Sequence, residues 1–240
     1  MLFRSPGSTD HEGKTHFNSK MTLDDLYMSI LKVAFGEEDP KVHPKVRSTI
    51  GAIVLLVNPL PPSAIAELIS LDPKEVTLLL TLVQSLLALD DDCSQPVKPF
   101  HKSFPDFITD PSRCTDTRFY ISPGHLHLEL AMGCLRVMGD GLKQNLLSLP
   151  DYALNSEVED LQTRIDDHIS PVLRYACKSW HNHLTKTGDV TDLVLCLDVF
   201  LKEKFLGWLE VVSVLGAVRG AVAALEQLVS WLQEVCLTSP

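Results

Sequence analysis

Apolar residues recur at the three- and four-residue intervals of an α-helix along most of this chain. Thr22-Leu-Asp-Asp25 resembles a capping box. The helix it opens carries Leu23, Leu26, Ile30 and Val33/Ala34 on one face and stops near Gly36, before the acidic loop 36–40. Pro44 suits a first helical position, and Val46, Ile50, Ile53 and Val54/Val57 form an apolar face up to Asn58. Pro59-Leu-Pro-Pro62 breaks the chain. Residues 63–69 read as a short helix with Ile65, Leu68 and Ile69 inward, and Ser70-Leu-Asp72 as a turn. Asp72-Pro73-Lys-Glu75 combines an N-cap acid, a first-position proline and a third-position glutamate. It predicts a helix over 73–89, the most apolar in the chain, with Leu79, Leu80, Val83 and Leu87 facing a core or a partner domain.

A helix, a short helix, a tight turn and a longer helix make a helix-turn-helix. Residues 97–103 and 118–122 read as two short strands flanking a segment at 104–108. Together these predict a winged helix over 21–122, a helix-turn-helix with a small β wing. From Ser122-Pro123 onward the pattern is helical, over 123–138, from Ser170-Pro171, and over 191–202, 205–215 and 217–236. Leu173, Cys177, Trp180 and Leu184 make one stripe; Val222, Leu225, Leu228/Val229 and Leu232 make another. Residues 123–240 are therefore predicted as an α-helical bundle, and the fold class as mainly α. Residues 1–20 are polar and without period, as in a flexible tail or truncated linker.

The chain has 240 residues, 45% of them hydrophobic, which is enough to build a core. Its 21 basic against 31 acidic residues leave a net charge of −10. That charge repels phosphate backbones, so no nucleic-acid partner is expected. The helix at 73–89 agrees, for it offers one lysine and one glutamine where a reader of DNA needs several donors. No signal-type apolar region and no stretch of membrane-spanning length occurs, so a cytoplasmic protein without a membrane partner is expected. The six cysteines form no CxxC pair, so neither a zinc site nor a disulfide framework is indicated.

Chemistry-bearing motifs are scarce. GxxxxGK[ST], GxGxxG, HExxH and GxSxG are all missing, and no nucleophile–base set can be assembled, so no enzyme, catalytic residue or metal site is expected. Leu86-Leu-Ala-Leu-Asp-Asp-Asp92 has the shape of a Walker B strand, but without a P-loop it reads as an acidic loop after an apolar helix. His125 and His127, like His181 and His183, are two residues apart, on opposite sides of a helix, and read as surface or packing histidines. His101 stands out between Phe100 and Phe104 at the start of the wing. On the residues alone it reads as a histidine satisfied by a backbone carbonyl.

Phe100-His-Lys-Ser-Phe-Pro-Asp-Phe-Ile-Thr-Asp110, with Pro111-Ser-Arg-Cys114 and Arg118-Phe-Tyr120 behind it, resembles the region after the NACHT domain in fungal NACHT and WD-repeat proteins. These are STAND signalling NTPases, relatives of NLR immune receptors. Leu23-Asp-Asp-Leu-Tyr-Met-Ser-Ile-Leu31 resembles the end of their nucleotide-binding module, and Ile50-Gly-Ala-Ile-Val-Leu-Leu56 with Asn58-Pro-Leu60 the start of their winged helix. His168-Ile-Ser-Pro-Val-Leu-Arg-Tyr-Ala-Cys177 with Trp180 and His183-Leu184, and Phe200-Leu with Lys204-Phe-Leu-Gly-Trp-Leu-Glu210, are similar to the helices that follow. The resemblance implies a regulatory and interaction module that packs on a nucleotide-binding domain and relays its state to a repeat sensor domain. It implies that His101, like the histidine of the Met-His-Asp motif in plant NLRs, contacts the β-phosphate of ADP held by an external P-loop domain. ADP or ATP is then a ligand of a full-length relative, with no cofactor in this chain. The P-loop half and the repeat sensor are not in the sequence, which looks like the middle of such a receptor or a truncated gene product. The alternatives are a DNA-binding winged-helix regulator and a free-standing non-functional fragment.

Overall fold

A computed structural model of the chain describes residues 22–36, 38–90, 94–150, 154–187 and 191–238. The expected tail at 1–20, the acids Asp91 and Asp92, and Cys93 lie outside the described residues. Local chemistry starts the helices. Thr22 Oγ1 accepts from the Asp25 amide at 3.2 Å and Asp25 Oδ2 accepts from the Thr22 amide at 2.9 Å, which opens α1 (Leu23–Phe35). α2 (Val42–Leu55) begins two residues before Pro44, because the Lys41 amide donates to Asp39 Oδ1 and the Val42 amide to Asp39 O. α3 (Pro62–Leu68) and α4 (Pro73–Leu82) are joined through Ser70 at φ 58°. Asp72 Oδ1 caps α4 by accepting from the amides of Lys74 and Glu75, at 2.8 and 3.3 Å.

Three expected elements differ, the first being the strand at 97–103, of which only Lys98–Pro99 is a strand while Ser103 opens a helix. α4 stops at Leu82 rather than running to 89. After a 3-10 turn at Gln84–Leu86 the backbone extends, and β1 (Leu87–Ala88) pairs antiparallel with β2 (Lys98–Pro99). A short apolar run suits a buried strand as well as a helix, and here Leu87 gains both a ladder and full burial. Pro99 has no N–H to extend the ladder. The expected strand at 118–122 is a turn instead, with the Phe119 and Tyr120 amides donating back to Asp116 O at 3.0 Å. Ahead of it, the segment at 104–108 belongs to α5 (Ser103–Ile108).

The rest is helical: α6 (Pro123–Gly141), α7 (Leu161–His168), α8 (Pro171–Leu184), α9 (Thr191–Glu203), α10 (Phe205–Val214) and α11 (Val218–Thr238). Among the described residues the protein is mainly helical, with the β1–β2 ladder as its one sheet. No described helix is long and apolar enough to cross a membrane. The expected stripe of Leu173, Cys177, Trp180 and Leu184 on α8 is buried. The stripes on α1 and α11 match the expected ones only in part, through Ile30 and Ala34 on α1 and Leu225, Leu228 and Leu232 on α11. α1 buries Tyr27, Leu31 and Phe35, leaving Leu23 and Leu26 exposed and Val33 86% exposed. α11 buries Ala221, Ala224, Leu228 and Trp231 and exposes Val222 and Val229. Both helices carry apolar residues on more than one side, so their own pattern does not select the inward face.

One cluster of buried side chains runs from Tyr27 to Trp231. α6 lies inside it, against α8, α9, α2 and α3. A Cβ on Gly133 of α6 would sit 2.2 Å from Leu68 O, so glycine is what lets α6 approach the end of α3. Arg136, one turn on, donates to Glu67 O and to Leu68 O. Across α8, Trp180 meets Trp208 edge to face at 6.1 Å, and Trp208 Nε1 donates to Cys177 O at 2.9 Å. Leu79, Leu80, Val83 and Leu87 are all buried, whereas Leu78, next to Leu79 on α4, is 61% exposed.

These placements set expected stabilities. Leu80→Ala should lower the unfolding free energy by about 2–5 kcal/mol, and Leu78→Ala by no more than about 0.5 kcal/mol. Gly133→Ala forces side-chain or backbone movement costing about 1–3 kcal/mol. Urea midpoints of the three variants check this, and equal loss for Leu78→Ala and Leu80→Ala would contradict the packing described.

Candidate functional site

β2 delivers the chain to the start of α5. The Phe100 amide donates to Leu86 O at 3.0 Å, and the Phe104 amide donates to His101 O at 3.1 Å. Phe104, Phe107 and Ile108 are buried and anchor α5. His101 and Lys102 are exposed at its rim, beside Phe100 with 66% exposure. The His101 ring is not satisfied by a backbone carbonyl. Its Nδ1 lies 3.1 Å from the Ser103 amide nitrogen and 2.7 Å from Ser103 Oγ. An amide can only donate, so Nδ1 accepts and the ring proton of the neutral form sits on Nε2. Ser103 Oγ is also 2.7 Å from Tyr27 Oη on α1. The arrangement offers one hydrogen-bond donor to a ligand arriving from outside.

A second polar cluster is buried between α6 and α8. His127 and His183, 56 residues apart, meet Nδ1 to Nδ1 at 2.9 Å. Tyr175 Oη lies 2.6 Å from His183 Nε2 and accepts from the Val57 amide at 3.2 Å. With that amide donating, the Tyr175 hydroxyl is free to donate to His183 Nε2, and His183 Nδ1–H to His127 Nδ1. The network ties the α2–α3 linker to α8 and α6. Burial pushes His127 down to about 4, and the Lys186 charge adds to this. Burial pushes His183 down to about 3, helped by His127, Lys186 and His181. The Tyr175 phenol is raised by the same desolvation. His181 is buried with Nδ1 unpartnered among the described residues, and burial lowers its pKa too.

The four histidines expected as surface or packing residues divide between the two. His127, His181 and His183 are packing histidines, while exposed His125 approaches Glu129 at 3.2 Å. His125 lines a cleft of about 350 Å³ with Arg47, Ser48, Tyr120 and Glu129. Ser48 Oγ donates to Glu129 Oε2 at 2.8 Å, not to His125, so this serine has no imidazole to take its proton. Burial raises the thiols of Cys114 to about 11 and Cys177 to about 12, which makes them poor nucleophiles. Among the described residues no three His, Cys, Asp or Glu side chains converge as metal ligands. Of the Walker B-like run, Leu87 and Ala88 belong to β1, and Asp91 and Asp92 lie outside the described residues.

The sequence reading missed Tyr27, Ser103 and Tyr175. Tyr175, Ser179 and His183 recur every four residues on α8, a polar stripe that could have marked a buried network. No local signal marks Tyr27, 76 residues from Ser103. Comparison with models of protein families, with curated proteins and with solved structures finds no match to this chain.

The buried pair makes stability depend on pH. Its folded pKa values lie below the ordinary histidine value of 6.5, so the unfolded chain takes up protons first as pH falls. The contribution is complete above about pH 6.5 and is lost progressively towards pH 4. Asp24 and Asp116, held down by Arg113 and Arg118, act only at lower pH, around and below their ordinary 3.8. Urea midpoints should therefore fall between pH 7 and 4.5, and fall less steeply in His183→Gln. A flat profile in the wild type would contradict a buried neutral pair.

Proposed function

We propose that this chain is a regulatory and interaction module of a STAND-type signalling NTPase, with α2 to β2 acting as its winged helix. It packs on a nucleotide-binding domain, and His101 contacts the terminal phosphate of an ADP that the other domain holds. The observation that carries this reading is an exposed His101 whose Nδ1 is already occupied, leaving Nε2–H as an outward donor. The short β1–β2 ladder after α4 supports the wing.

The outward face of α4 supports a protein partner over DNA. Leu78 and Leu82 are exposed four residues apart, and the hydroxyls of Thr77 and Thr81 are spent on Pro73 O and Thr77 O, each at 2.9 Å. That leaves Lys74 as the basic side chain of the helix, on a chain of net charge −10. Phosphate binding needs a glycine-rich cradle, a lysine and a magnesium-holding hydroxyl, and the sequence contains no such motif. The module depends on its partner for nucleotide.

The test joins the chain to an intact P-loop domain and measures ADP release. His101→Ala removes one hydrogen bond to a charged group, worth about 1–3 kcal/mol, so release should quicken by up to roughly a hundredfold. The 240-residue chain alone should bind neither ADP nor duplex DNA. Equal release from wild type and variant would remove His101 from the nucleotide site. Tight ADP binding by the chain alone, or DNA binding with a steep salt dependence, would overturn the reading.

A further inference from the structure

The geometry points to α1 as the element that arms His101: Tyr27 and Ser103 are positioning residues that hold its ring as the Nε2–H tautomer, ready to donate to a phosphate oxyanion. Its role toward phosphate rests on the function proposed above; the tautomer lock does not. The polarity of the chain follows by elimination. The Ser103 amide donates to His101 Nδ1, so Ser103 Oγ, 2.7 Å from the same nitrogen, must also present its proton there. Its lone pairs then face Tyr27 Oη, which donates at 2.7 Å. Protons point in one direction, from Tyr27 through Ser103 to His101.

The first donor belongs to α1, and two further contacts hold α1 against the α5 region. The buried Tyr27 ring stands edge-on to Phe104 at 5.3 Å and tilts against Phe107 at 5.5 Å. One turn earlier, Asp24 receives both Arg113 Nε and Nη2, at 2.9 and 2.7 Å. The relay is complete only while α1 is docked. Without Tyr27, Ser103 loses the donor that orients its hydroxyl, and the His101 ring is held by the Ser103 amide and an unoriented hydroxyl. Tyr27 of α1 is thereby linked to a donor at the rim, next to Lys102.

Imidazole nitrogen shifts in the full chain, without nucleotide and above the titration range of histidine, read this directly. His168 is the internal reference, because its Nδ1 faces Arg164 O at 3.1 Å and must carry the proton. Wild-type His101 should be the Nε2–H tautomer and His168 the Nδ1–H tautomer. Ser103→Ala and Tyr27→Phe, which keep the Ser103 amide, should each move the His101 Nδ1 shift towards that of an unbonded imidazole nitrogen and leave His168 unchanged, while Ser103→Thr keeps the wild-type pattern. A wild-type His101 found as Nδ1–H or as a mixture would overturn the proposal, even if every variant failed to fold. So would a Ser103→Ala spectrum identical to wild type. Unchanged ADP release in His101→Ala beside an intact tautomer pattern would sink the phosphate contact alone and leave the lock standing.

Discussion

The close approach of α6 to the end of α3 is the constraint on which the other packing depends. It requires the bare backbone of Gly133 against Leu68 O, and Arg136 then donates to Glu67 O and Leu68 O at the end of α3. With α6 held there, α8 can lie along it, and α2 and α9 fill the remaining sides. The aromatic contacts of Trp180 and Trp208 extend the same core towards α10. Arg174 supports it from the edge by donating to Ile169 O and Ile165 O, both at 2.8 Å, at the end of α7.

Histidine is used in two opposite ways around this core. Between α6 and α8 the imidazoles are desolvated, neutral and spent on each other and on Tyr175. A buried network of this kind specifies how helices seat, because leaving any member unpaired is costly in a low-dielectric interior. His43 is buried too, with its Nε2 3.1 Å from Phe35 O at the end of α1. His101 is the reverse, an exposed residue with its Nδ1 held by its own chain. An exposed imidazole therefore sits on the rim of the helical body, at the start of a short helix held by buried phenylalanines.

What was legible in the sequence is what neighbouring residues decide. The Thr22–Asp25 box, the Asp72-Pro73 start and the Ser170-Pro171 start act through amides within three residues, so their chemistry is written locally. The buried stripe on α8 was legible because its polar residues leave one dominant apolar face. His101 could be singled out by position, although its hydroxyl partners could not.

The rest needed tertiary structure, because burial is a choice between faces and only the neighbours make it. Leu23, Leu26 and Val33 are as apolar as Leu31 and Phe35, yet α5 receives the side of α1 that carries Tyr27. Leu87 extends a helical pattern by composition, yet it is drawn into a ladder with Lys98–Pro99. His127 could pair with His183 only once α6 and α8 were side by side, across 56 residues. The sequence by itself determined where α1, α4, α6 and α8 begin and that the chain is mainly helical, since those depend on hydrogen bonds a few residues long. The inward faces, the strand pair and the histidine partners were decided by the tertiary structure, where segments far apart in the chain exclude water together.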